Sequence, residues 1–341
     1  MRIPTVTLKA FLAAGVGVLL GCTAGASSDT PTSLLDRAEQ TQSHSTEPWS
    51  GLGATGADPR FLSLRHIGSP SQVPPVKLPP RGDLAVSDDG SGVVDIYDDK
   101  FKLKYQITAG LNYPNGDWYD SKGNLYVANS TGQDVTEYPP GGKNSNFVYD
   151  AAIVDPVDVT TDKAGRIYVA DYNDGKAGGL EEFYQLSNQL RADCVTNLAN
   201  TGVAVDPSGD VFVSGYNPLT GDGNVDEFLP NLSHCSFTTL GVTLGLPGGL
   251  KVDNEFDLIV ADQSAGTVDI IPPPYEAVSG KCGSGYSDPL HVALDKPQTA
   301  LFVADPGKAN VQFLSYPACK LLGTIGGILD PDGVAASVGK P

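Results

Sequence analysis

Positive charge is scarce in this sequence. Its 341 residues carry 22 Lys and Arg against 40 Asp and Glu, a formal net charge of −18. No basic run or stripe interrupts that imbalance, which excludes nucleic acid as a partner, because phosphates are held by clustered cations that release counterions. A soluble acidic surface, cation binding or basic partners fit the charge instead. Apolar runs are short as well: Phe11–Leu20, at ten residues, cannot cross a bilayer as a stable helix. There is a single Met, and no two cysteines stand in the CxxC spacing of a metal or redox site. What is abundant is Gly (40) and Pro (26), with Tyr (14) outnumbering Phe (11), a composition of many short strands and tight turns rather than long helices.

The N-terminus reads as an export signal, residues 1–21, in which Arg2 and Lys9 precede the apolar run and no acid occurs. Without those two positive charges the net charge moves from −18 to −20. The following Leu19-Leu20-Gly21-Cys22 resembles the lipobox of bacterial lipoproteins, in which small residues before the cysteine admit the peptidase and the thiol takes a diacylglyceryl group. That resemblance implies lipidation at Cys22, the membrane as a partner through the anchor, and an address in the bacterial cell envelope facing outside the cytoplasm. Residues 22–80 are rich in Ser, Thr, Pro and Gly without sustained periodicity, the composition of a flexible tether. Cys194, Cys235, Cys282 and Cys319 remain, an even number in an oxidising compartment, so two disulfides are expected. Three pairings are open, and the position of each pair in adjacent repeats favours Cys194 with Cys235 and Cys282 with Cys319.

From residue 81 to 341 the chain repeats itself. Leu-Tyr-Val-Ala-Asn129, Ile-Tyr-Val-Ala-Asp171, Val-Phe-Val-Ser-Gly215 and Leu-Ile-Val-Ala-Asp262 are the clearest copies, with Leu-Ala-Val-Ser-Asp88 before them and Leu-Phe-Val-Ala-Asp305 after. The copies end 41, 42, 44, 47 and 43 residues apart, the period of a β-propeller blade of about four strands. Turns such as Asp120-Ser-Lys-Gly123, Asp162-Lys-Ala-Gly165 and Asp206-Pro-Ser-Gly209 place an acceptor first and a residue tolerant of positive φ last, as a tight hairpin demands. The first repeat lacks its opening strand, while the chain ends on an orphan one, Pro331-Asp-Gly-Val-Ala335. The expected fold is therefore all-β: a six-bladed propeller, monomeric, closed by the C-terminal strand completing blade one.

The lead-in Pro-x-Gly-Val-x-x-Asp followed by x-Gly-x-Ile-Tyr-Val-Ala-Asp is similar to the NHL-repeat family and the wider group of six-bladed propellers that includes gluconolactonase-like and streptogramin-lyase-like proteins. The resemblance covers residues 83–341. It implies the fold but leaves the activity open between a ligand- or protein-binding module and a metal-dependent hydrolase or lyase. Gluconolactonase-like enzymes hold a divalent metal with a Glu from an early Glu-Gly-Pro motif; here the matching pair is Asp332-Gly333, and Asn129 and Asp262 are the two positions the resemblance offers as metal ligands. Streptogramin lyases are similar in placing a His where His291 stands, but their Trp-Phe-Thr-Glu motif reads Phe302-Val-Ala-Asp305 here.

Departures from the repeat nominate a site at the channel mouth. The third residue of each lead-in runs Gly116, Asp158, Gly202, Gly249, His291 and Gly333, so an acid and an imidazole replace glycine in blades three and six. Asp117, Trp118 and Lys251 break the pattern beside them. His291 with Asp305 would make a general-base pair within one blade. The loops of blades three and four are longer than the others, and Tyr172, Asn173 and Tyr216 on them offer aromatic area with hydrogen-bonding groups to a protein, peptide or saccharide.

Overall fold

A computed structural model describes residues 82–338; the export signal, Cys22 and the tether lie outside the described residues. The described chain forms six four-stranded antiparallel sheets, one per blade. The innermost strands are β4 (Pro114–Tyr119), β8 (Pro156–Thr161), β12 (Ala199–Val205), β16 (Pro247–Val252), β20 (His291–Leu294) and β24 (Pro331–Ala336), for blades two to six and then one. Blade one has the order β24-β1-β2-β3, with β1 spanning Leu84–Asp88, β2 Val93–Tyr97 and β3 Leu103–Ile107. Its closing register pairs Ala85 with Ala335 and Val86 with Val334. The two ends of the domain are thus hydrogen-bonded into one sheet, and the inner edge that β1 would otherwise expose is paired.

The second strands are buried almost throughout, Leu125–Asn129 and Ile167–Asp171 at every position. They read as continuous apolar runs because blades stack face to face and cover both sides of each sheet. Outer strands alternate instead, as in Leu190–Val195, since one face meets water. The core consequently lies between blades: Tyr126, Tyr149, Val159 and Phe183 of blades two and three form one cluster, and each such large side chain contributes about 1.5–3 kcal/mol on burial. The hairpin turns between first and second strands use the expected chemistry. Asp120 Oδ1 accepts from the Lys122 and Asn124 amides, and Gly123, Gly165 and Gly209 all have positive φ.

Cys194 bonds Cys235, joining blades three and four, and Cys282 bonds Cys319, joining blades five and six; the Cα atoms are 5.3 and 4.8 Å apart. Two disulfides belong to an oxidising, extracytoplasmic environment. Among the described residues no helix is long and apolar enough to cross a membrane.

Candidate functional site: the axial cluster and the upper loops

Around the axis the inner strands come very close. A Cβ on Gly116 would lie 2.6 Å from Asp158 Oδ1, and one on Gly249 would lie 2.2 Å from the His291 ring. Glycine at these two positions therefore makes room for the larger side chains of the next blades. Asp158 of β8 and His291 of β20 belong to opposite blades, yet Nε2 of the imidazole lies 3.0 Å from Asp158 Oδ1. The Val334 amide donates to Nδ1 at 3.4 Å, which assigns the proton to Nε2 and makes the imidazole the donor to Asp158. Asp158 also accepts from the Val159 amide at Oδ1 (2.8 Å) and the Val203 amide at Oδ2 (2.9 Å).

Lys251 of β16 enters the same cluster, its Nζ 3.8 Å from Asp158 Oδ2 and 5.5 Å from the centre of the Trp118 ring. Asp117 of β4 accepts from Ser87 Oγ at 3.2 Å, while the Trp118 indole donates to Thr161 Oγ1 at 2.9 Å. Asp117, Asp158, Lys251 and His291 are all buried, and Lys251 Nζ and Asp117 Oδ1 have no hydrogen-bond partner. Burial pushes the Asp117 carboxyl well above the usual range, with the Asp158 charge adding to the effect. Burial would raise Asp158 too, but the Lys251 ammonium and then His291 hold it below the ordinary value. Burial also draws Lys251 and His291 down, against the pull of Asp158.

Five residues singled out in the sequence, Asp117, Trp118, Asp158, Lys251 and His291, are thus brought together, but Trp118 is half-buried and the other four lie inside the channel and out of solvent rather than at its open mouth. Ser87 joins them and was missed. Its signal was readable: the fourth residue of the second strand is Ser87, Ala128, Ala170, Ser214, Ala261 and Ala304, so serine there is itself a departure.

The strand-end residues do something different. Asp171 accepts the Val154, Asp155 and Asn173 amides, Asp262 accepts those of Gly245, Leu246 and Ala265, and Asp305 accepts those of Ser287 and Asp288. Asn129 donates to Asp134 and Thr136. Asn129 and Asp262 therefore hold their own loops, and Asp305 makes no pair with His291, whose Nε2 is turned to Asp158. Among the described residues no group of three or more His, Cys, Asp or Glu side chains is arranged to hold a metal ion. On the long loops Tyr172 is fully buried, contrary to its expected place on a raised lip. Its hydroxyl lies 2.6 Å from that of Tyr216, and Asn173 Nδ2 donates to Ala177 O, so these groups brace the loops.

The antiparallel order puts the loops after each second strand and the connections between blades on one face, here called upper, and the hairpin turns on the other. Upper loops carry acids at 88, 89, 134, 150, 155, 174, 222, 288 and 330, and their cations are Lys176 and Lys308. Lower turns mix acids with Lys100, Lys102, Lys122, Lys143, Lys163, Arg166, Lys296 and Lys320. Where blade six meets blade one the upper carboxyls crowd. Burial and then the neighbouring Asp330 charge push Asp89 up to about 7, and burial with the neighbouring Asp88 charge takes Asp330 to about 6. Burial, with Asp305 next, takes Asp288 to about 6, and Asp332 is raised well above its ordinary value by burial and the Asp330 charge.

No protein-family model and no curated protein matches the sequence. Solved structures do match. A chain of a nidogen/laminin complex is similar with a TM-score of 0.61 at 16% identity, over 76% of this chain and 99% of that one. The likeness is one of fold. A functionally unknown protein from Desulfotomaculum acetoxidans gives 0.55 at 15% identity, over 76% and 100% of the two chains. A gluconolactonase from Xanthomonas campestris gives 0.53 at 15% identity, over 65% and 79%. At these identities a binding protein and an enzyme share the six-bladed propeller with this chain, and the activity must be argued from its own residues.

Proposed function

We propose that this chain is an extracytoplasmic binding module of the NHL and gluconolactonase-like propeller type, anchored by a lipid on Cys22 behind a signal of residues 1–21. Residues 22–80 tether the propeller of residues 81–341, whose upper face docks a cationic peptide or protein. The observation that carries this reading is the charge division: acids dominate the upper loops, with Lys176 and Lys308 as their cations, while the lower turns are mixed. A one-signed surface steers an oppositely charged partner and selects against others. The most exposed large apolar side chain among the described residues stands on this face. Leu219 is 93% exposed, and its turn is held by Asn217 Oδ1, which accepts the Leu219 amide at 2.8 Å. An exposed leucine on a braced turn of an acidic face suits a basic partner with an apolar pocket. The similarity to a chain of a nidogen/laminin complex agrees with a binding role for such a scaffold.

Probing an array of Lys- and Arg-rich peptides with the purified chain tests the docking. Binding is expected at low salt, weakened by salt and by Leu219→Asp or Asp174→Lys. Binding that ignores salt and both substitutions, or that is lost on altering lower-face residues instead, overturns it. Anchoring is tested separately, by the mass of the mature N-terminus with and without Cys22→Ala.

A further inference from the structure

Lys251 and Asp158 face each other in a setting built for condensation rather than for a simple ion pair. Nζ lies 3.8 Å from Asp158 Oδ2, outside hydrogen-bond distance, and the two side chains are only 6% and 0% exposed. Nζ has no hydrogen-bond partner, and neither has Oδ1 of Asp117, a second buried carboxyl in the same cluster. Leaving a buried ammonium and a buried carboxyl oxygen unsatisfied is costly.

The Asp158 carboxyl is held asymmetrically. Oδ1 takes two donors, the Val159 amide at 2.8 Å and His291 Nε2 at 3.0 Å. Oδ2 takes one, the Val203 amide at 2.9 Å, and faces the lysine. Donors fixed around a carboxyl oxygen stabilise the negative charge that builds there when a nucleophile adds to the carbon. Burial loosens the proton on Lys251 and tightens the one on Asp117, which eases the shift to the amine that attack needs and to the acid that a proton relay needs.

We propose that Lys251 and Asp158 form an intramolecular amide across the channel, joining blades five and three, with Asp117 relaying protons. The ammonium first passes one proton to Asp158 Oδ2, leaving a neutral amine and a neutral acid; the Nζ lone pair then adds to Cγ of Asp158, and the resulting charge rests on Oδ1 against the Val159 amide and the His291 ring. The Cγ–Oδ2 bond then breaks. Of the three protons of the original ammonium, one stays on the amide nitrogen and two leave with Oδ2 as water. Asp117 gives a proton to the departing oxygen and regains one from the nitrogen, so it ends as it began, and no oxidant, reductant or other co-reactant is needed. In the product the amide N–H has the unpartnered Oδ1 of Asp117 to donate to, and the buried charge pair is gone. This inference is independent of what the upper face binds.

Mass spectrometry of the purified, reduced and alkylated chain decides it. The native chain is expected one water lighter than its sequence, with trypsin failing to cut after Lys251 and a branched peptide joining the segments of β8 and β16. Lys251→Arg should restore the full mass, and Asp117→Ala should restore it or slow its loss. A native chain of full mass that is cut after Lys251 overturns the proposal, whatever the variants do. Water loss with the branch at Asp117 overturns the assignment to Asp158, and unchanged condensation in Asp117→Ala overturns the relay.

Discussion

On the axis and on the upper seam the propeller buries carboxyl groups of the same kind, and treats them in opposite ways. At the axis Asp158 meets Lys251, His291 and two backbone amides, so a buried negative charge is answered from blades four, five and six. At the seam of blades six and one, Asp89, Asp288, Asp330 and Asp332 are held in their protonated forms more tightly by burial and then by neighbouring carboxylates, with no cation among the described residues to answer them there. The difference separates a finished piece of structure from the acidic surface on which the proposed docking rests. The repeated acids at the strand ends belong with the first kind, since Asp171, Asp262 and Asp305 turn their oxygens to the amides of their own loops.

Breaking the axis should have the largest effect. Asp158→Ala removes the shared acceptor and leaves Lys251 without its partner, whether ion pair or the proposed amide, and should cost at least roughly 3–5 kcal/mol in denaturant unfolding, the usual scale for breaking a buried pair. A loss under about 1 kcal/mol, the range of exposed pairs, would show that the axis is no more finished than the rim. Next in size comes the Cys282–Cys319 link. Replacing both residues with Ser should lower stability by about 2–4 kcal/mol, because the unfolded chain is released from a long loop.

The seam sharpens the comparison through pH. Asp89 holds its proton more tightly folded than unfolded, so its contribution is fully present below about pH 4 and is lost as the pH rises through about 7. His291 acts the other way: with its folded value depressed, its contribution is present above about 6.5 and lost as the pH falls. Comparing the native chain with Asp89→Asn/Asp330→Asn cancels the histidine. The variant's relative stability should rise between pH 4 and 7.5 by no more than about 1 kcal/mol, as befits partly exposed charges. A difference that stays flat with pH would mean the seam carboxyls do not repel in the folded protein. The smallest expected change is from Leu219→Asp, within about 0.5 kcal/mol in stability, because an exposed tip packs against little. Its effect belongs in binding alone.

Much of this was legible before any coordinates. The period of the Val-Ala-Asp copies gave the blades, Asp and Gly in the hairpins gave the turns, and the orphan Pro331–Ala335 gave the closing strand, because each is a local rule of spacing or backbone conformation. The axial residues were legible only as departures: Asp158 and His291 stand where glycine recurs, which marks them without saying what they meet. Tyr172 was misplaced for the same reason, since a loop longer than its neighbours looks exposed until its hydroxyl is found against Tyr216. The crowding at the seam was not legible at all, because Asp89 and Asp330 are separated by nearly the whole domain in sequence and are adjacent only after the ring closes.

The amino-acid order by itself determined six blades, their turns, the pairing of terminal strands and the acidity of the chain, all of which follow from short-range pattern and composition. Which charges satisfy one another was decided by the tertiary structure. The width of the ring sets that, and the width depends on how closely glycine lets β4, β12, β16 and β24 approach their neighbours, a distance that no spacing along the chain encodes.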